Sequence, residues 1–131
     1  MRLPPEARAE VMRHAEACFP GECCGALLGD ERGQVHVRPL GNAAPEPGRA
    51  FSLSARDCLA VETEAEARGW TVLGFYHSHP DAPAVPSAKD AEFAWAGRWT
   101  VIVPVTKAGA SAPRAWRFDE ARREFEEVTV D

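Results

Sequence analysis

The chain has 131 residues, a formal net charge of −5, 45% apolar residues and 27% charged residues. That length suits a single domain over residues 1–131 with a core of its own, and the balance is that of a soluble globular protein. The negative charge argues against nucleic acid as the main partner, and no apolar run approaches the length of a membrane span.

The elements follow in chain order. The N-terminal stretch "MRLPPEARAEVMRHAEA" is charged and helix-like, unlike a signal peptide, and this predicts a cytoplasmic protein. A helix is predicted from residue 4 to about 18, with Pro4 and Pro5 in its first turn and Ala7, Val11, Ala15 and Cys18 as one apolar stripe. Pro20 and Gly21 end it. "CCGALLG" from Cys23 reads as a buried strand. "DERG" turns the chain, and "QVHVRPL" returns it as the second strand of a hairpin. "GNAAPEPGRA" at 41–50 is a loop. A second helix starts at the N-cap Ser54 and stops at Gly69, with Cys58, Val61 and Ala65 facing the core. "WTVLGFY" from Trp70 is continuously apolar and reads as a central strand. "SAKDAEFAWAG" from Ser87 reads as a third helix, "WTVIVPV" from Trp99 as another buried strand, and "KAGASAP" as a turn. "RAWRF" and "REFEEVTV" suggest a closing hairpin. Helices interspersed with apolar strands imply an α/β fold, a mixed sheet sandwiched by helices. The four cysteines, Cys18, Cys23, Cys24 and Cys58, are expected as thiols, acting as small buried hydrophobes.

The chemistry concentrates in "HSHPDAPAVPSAKD" at 77–90. If the strand stays extended past Tyr76, His77 and His79 point the same way, about 6 to 7 Å apart at Cα. Two imidazoles so placed can converge on zinc, whose catalytic sites take three protein ligands and a water. Asp90, ten residues after a loop stiffened by Pro80, Pro83 and Pro86, is the candidate third ligand. Ser87-x-x-Asp90 is also a helix N-cap signature, and the two readings are compatible. Hydrolysis further needs a carboxylate that moves a proton without binding the metal. Glu22 in "PGECCG" is the best candidate, because a carboxylate at the start of a buried strand is costly, though it also reads as an exposed loop glutamate. The Ser87 hydroxyl is the candidate donor to the developing oxyanion. His14 and His36 are read as surface or hydrogen-bonded histidines. No H-E-x-x-H occurs, and no deaminase-type P-C-x-x-C.

"PGECCGALLG" followed by "VLGFYHSHPDAPAVPSAKD" resembles the motif of the JAMM, or MPN-plus (Mov34/PAD-1), metalloprotease family: a glutamate in an early strand, then H-[ST]-H-P, then S-x-x-D. "FSLS" and "WTVIVPV" are also similar to the small stand-alone prokaryotic members. The resemblance implies a cytidine-deaminase-like fold, one catalytic Zn²⁺ with its water on His77, His79 and Asp90, Glu22 as general acid/base, and Ser87 as oxyanion stabiliser. It also implies a peptidase or isopeptidase that cuts after the Gly-Gly tail of a ubiquitin-fold sulfur-carrier protein. The alternatives are a non-catalytic module that binds ubiquitin-like proteins and a small-molecule zinc amidohydrolase.

Overall fold

A computed structural model of the protein describes residues 1–42, 53–92 and 97–131. The predicted loop beyond Asn42 and the predicted third helix over 93–96 lie outside the described residues. The elements are α1 (Pro5–Cys18), β1 (Cys24–Gly29), β2 (Val35–Leu40), α2 (Ala55–Arg68), β3 (Thr71–Pro80), α3 (Ala88–Glu92), β4 (Trp99–Thr106), β5 (Gly109–Ala110), β6 (Arg114–Asp119) and β7 (Glu124–Val128).

Local chemistry sets the helix boundaries. Pro5 stands in the first turn of α1, where its missing N–H is no loss. The Ser54 hydroxyl accepts the Asp57 N–H at 3.0 Å and opens α2. Gly69 closes it with φ 71°, a left-handed conformation that glycine adopts without strain.

Six of the strands run β2-β1-β3-β4-β6-β7 across the sheet, and the short β5 pairs with β4. All neighbours are antiparallel except β3 and β4, so the sheet is mixed, as predicted. β5 falls within "KAGASAP", where only a turn was expected. Val105 and Thr106 pair with Ala110 and Gly109 across a tight reversal. A parallel pair needs a crossover connection, and α3 lies in the one between β3 and β4.

Two cores form, one on each face of the sheet. Ala7, Val11 and Ala15 of α1 pack with Leu27, Tyr76, Val101 and Val103. Val61 and Ala65 of α2 pack with Ala26, Leu28 and Val72. Fully burying an aliphatic side chain of this kind contributes roughly 1.5–3 kcal/mol. The helices therefore sandwich the sheet, as the sequence suggested. β3 changes parity on the way. Leu27 faces Gly74, but Leu28 faces Val72, so Leu73 has no residue opposite it on β1. This bulge lets Val72 and Phe75 both serve the α2 side while Leu73 and Tyr76 serve the α1 side. Beyond it, side chains alternate again, and Phe75, His77 and His79 share the α2 face.

Candidate metal centre

β3 stays extended through Pro80, so the two histidines sit at the carboxyl end of a central strand. The pairing of Cys24 with His77 is continued by two bonds. The Ser78 N–H donates to the Cys23 carbonyl at 3.1 Å, and the Cys23 N–H donates to the Ser78 hydroxyl at 2.8 Å. Continued in that register, Glu22 comes opposite His79. The Asn42 side-chain amide holds the Glu22 carbonyl at 3.0 Å. Ligand-capable atoms of Glu22, His77 and His79 lie within 4.8 Å of one another. Glu22 was expected at the start of a buried strand, and here the structure differs. It is half-buried and lies two residues before β1. The physical reason is that a side chain, Ser78 Oγ, takes the Cys23 N–H, so the regular ladder begins only at Cys24.

The loop after β3 is tied to the sheet. Asp81, with φ 52°, turns the chain, and its N–H donates to the Val105 carbonyl at 2.8 Å. The indole N–H of Trp116 donates to the Ala84 carbonyl at 3.1 Å. The loop then delivers the first turn of α3. The Ser87 N–H donates to Asp90 Oδ2 at 2.6 Å, and the Asp90 N–H donates to the Ser87 carbonyl at 3.0 Å. The Asp90 N–H also faces the Ser87 hydroxyl, at a long 3.4 Å. This is a reciprocal cap, and it turns a buried carboxylate back onto the strand end. Asp90 Oδ1 lies 3.0 Å from His77 Nε2, and Oδ2 lies 3.5 Å from His79 Nε2. The cap and the histidine contacts coexist at one residue.

The donor set fits a tetrahedral metal. The two Nε2 atoms are 3.2 Å apart, and their contacts to the carboxylate are 3.0 and 3.5 Å. Ligands 2.0–2.1 Å from a tetrahedral zinc stand about 3.3 Å from each other. The His79 Nδ1–H donates to the Pro83 carbonyl at 2.8 Å, which fixes the tautomer and leaves the Nε2 lone pair facing the cluster.

Burial lowers the His77 pKa, against the opposing pull of Asp90. Burial acts the same way on His79, but Asp90 and the Pro83 carbonyl outweigh it and raise its pKa. Burial alone would raise Asp90, yet the bonds from His77 and His79 hold its carboxyl far below the usual range.

Ser87 is exposed beside this cluster. His14 Nδ1 bonds the Tyr76 hydroxyl at 2.7 Å, and His36 contacts Asp30 at 2.9 Å, so both are hydrogen-bonded histidines. All four cysteines are free thiols, as expected, but only Cys23 and Cys24 are buried as expected; Cys18 and Cys58, near the helix ends, are partly exposed. Burial pushes Cys23 and Cys24 up to about 11 and about 12. Sequence reasoning missed Ser78 and Asn42, which position Glu22. The signal for Ser78 was a hydroxyl in the middle of a run otherwise destined for the sheet interior.

Fold and cluster together define an α/β-sandwich protein with a metal-ligand constellation at the end of its central strand. The chain belongs to the prokaryotic homologs of the JAB domain, whose sequence pattern matches residues 4–119. It is 34% identical to a desampylase of Haloferax volcanii over 129 residues, covering 93% of this chain and 91% of that protein. It is also 34% identical to a probable TtuB-protein conjugate cleaving protease of Thermus thermophilus, covering 92% of this chain and 74% of that one. The crystal structure of a JAB1/MPN domain protein from Archaeoglobus fulgidus superposes with a TM-score of 0.59 at 20% identity, over 95% of this chain and 89% of that one, and so shares the fold. The resemblance read from the motif is thereby borne out at the level of family and fold. No helix among the described residues is long and apolar enough to cross a membrane.

Proposed function

We propose that the protein is a zinc-dependent metallopeptidase or isopeptidase, acting as one domain over residues 1–131, that hydrolyses the bond after the C-terminal Gly-Gly tail of a ubiquitin-fold sulfur-carrier protein. The observation that carries the chemistry is the convergence of His77 Nε2, His79 Nε2 and the Asp90 carboxylate at 3.0–3.5 Å with Glu22 beside them. The substrate class rests on relatives named a desampylase and a conjugate-cleaving protease.

His77, His79 and Asp90 hold the metal. Asp90 is preferred to Glu22 as the third ligand because it is buried and touches both imidazoles, whereas Glu22 is half-buried. Zinc bound there supplies Lewis acidity and brings the pKa of a water toward about 7. Glu22 takes the proton of the attacking water and delivers it to the leaving amine. The Ser87 hydroxyl donates to the carbonyl oxygen as negative charge develops on it. An extended Gly-Gly tail suits this site because glycine lets the backbone pass close to the ligands. The described cysteines are free thiols, in keeping with work in the cytoplasm.

The test is a panel of Gly-Gly-tailed carriers extended by cysteine, by a short peptide or by an isopeptide-linked lysine. Each is incubated with zinc-loaded protein and read by mass spectrometry. Cleavage directly after Gly-Gly, abolished by chelation, is expected. Carriers that bind and stay intact would instead mark a binding module. Amide metabolites cleaved while carriers stay whole would mark a small-molecule hydrolase.

A further inference from the structure

We propose that Trp116 is a positioning residue for the metal centre, acting through the loop between β3 and α3 on the orientation of His79. The proposal rests on the metal reading above and adds a residue outside the histidine and serine–aspartate motif.

Trp116 lies on β6, opposite Thr100 of β4, and Thr100 stands opposite Phe75 of β3. Directly paired residues share a sheet face, so Trp116 belongs to the face that carries His77 and His79. Its indole N–H reaches across to the Ala84 carbonyl at 3.1 Å. An indole nitrogen only donates, so this bond has one sense. The preceding residue, Pro83, accepts the His79 Nδ1–H at 2.8 Å through its own carbonyl. Two consecutive peptide carbonyls are thus bound, one by the sheet and one by the candidate ligand. Proline fixes φ at residues 83 and 86, so the segment between them has few ways to turn. Ala84 is buried although the residues on both sides of it are exposed. The start of the loop is fixed separately, by the Asp81 N–H on the Val105 carbonyl.

The consequence concerns His79 more than His77. His77 is buried and is held by the strand and by Asp90. His79 sits one pleat further out, and its described hold on the ring from outside the cluster is the Pro83 carbonyl. Partners that orient a ligand histidine through its second nitrogen commonly set metal affinity by 10–100-fold. Trp116 acts one peptide further away, so its effect is smaller. The guanidinium of Arg114 lies 5.0 Å from the Trp116 ring centroid and keeps the indole in place from its own strand.

The experiment replaces the donor and keeps the ring. Wild type, Trp116→Phe and His77→Ala are compared by competition of zinc against a chelator, and by the melting temperature of the metal-free protein. Trp116→Phe is expected to weaken zinc binding about fivefold, less than the range for a directly bonded partner, while the metal-free melting temperature stays within about 2 °C of wild type. Should the smaller ring lower that temperature further, benzothienylalanine at position 116 keeps the shape of the indole without its N–H, and the same fivefold loss is expected. Zinc affinity unchanged in the donor-free protein overturns the proposal. A wild type that binds zinc no better than His77→Ala overturns the metal reading itself, and the two failures are thereby distinguished.

Discussion

Histidine–aspartate contacts occur at two places among the described residues, and they do different things. In the β1–β2 hairpin, His36 Nε2 meets Asp30 at 2.9 Å; at the carboxyl end of β3, His77 Nε2 meets Asp90 at 3.0 Å. The distances are alike and the settings are not. The hairpin pair has side chains 28% and 11% exposed, while the β3 pair has 2% and 4%. Asp30 spends one oxygen on the N–H groups of Arg32 and Gln34, and His36 stacks on Trp70 with ring centroids 4.0 Å apart. That pair closes a turn. At β3 a second imidazole and a second carboxylate converge on the same point. The contact itself is therefore uninformative. What separates a candidate metal centre from a turn is the convergence of several lone pairs in a buried place, where unpaired polar atoms are costly.

The largest effect should come from breaking each pair in turn. His77→Ala is expected to abolish stoichiometric zinc binding and reduce cleavage to background, whereas His36→Ala leaves both within about twofold, as substitutions away from a site usually do. Metal analysis and carrier cleavage measured on both proteins check this. Next comes the proton carrier. Glu22→Gln should retain zinc and lower kcat by about 10²–10⁴-fold, the usual contribution of general acid–base catalysis. Retained zinc with wild-type turnover would remove Glu22 from the mechanism.

A smaller loss is expected from Ser78→Ala, which deletes the hydroxyl that accepts the Cys23 N–H and stitches the Glu22 segment to β3. Leaving that buried donor unsatisfied costs about 1–3 kcal/mol. Turnover should fall while KM holds, and Ser78→Thr, which keeps the hydroxyl, should recover most of it. The mildest effect concerns pH. The burial that marks the β3 site also raises Cys23 and Cys24, from 9.0 to about 11 and about 12. A raised acid binds its proton more tightly in the folded state, so its contribution is intact below pH 9 and is lost as pH climbs through 11 to 12. The melting temperature should decline across that window, and Cys24→Ala should flatten the decline.

Much of the architecture was legible because its signals are local. The Ser54 cap and the Gly69 stop bracket α2, and the apolar stripe of Ala7, Val11 and Ala15 marks the buried face of α1. The pattern of histidines, Ser87 and Asp90 was legible for the same reason, since strand parity and a helix cap are short-range rules. Most of what escaped depends on partners far along the chain. The bulge at Leu73 arises from how β3 must pack on both helices at once. Glu22 leaves the ladder because Ser78, fifty-six residues later, supplies a side chain in place of a backbone carbonyl. The short β5 escaped for a different, local reason: it pairs with β4 across a reversal of only two residues, so the segment reads as a turn alone.

The central claim is that His77, His79 and Asp90 bind the metal and that Glu22 stands beside it. Anomalous diffraction at the zinc edge from zinc-loaded crystals tests this most directly. The account predicts one strong peak within about 2.0–2.2 Å of His77 Nε2, His79 Nε2 and an Asp90 oxygen, with the Glu22 carboxylate outside bonding distance. A peak bonded to Glu22 in place of Asp90, or one at His36 and Asp30 with none at β3, would contradict it.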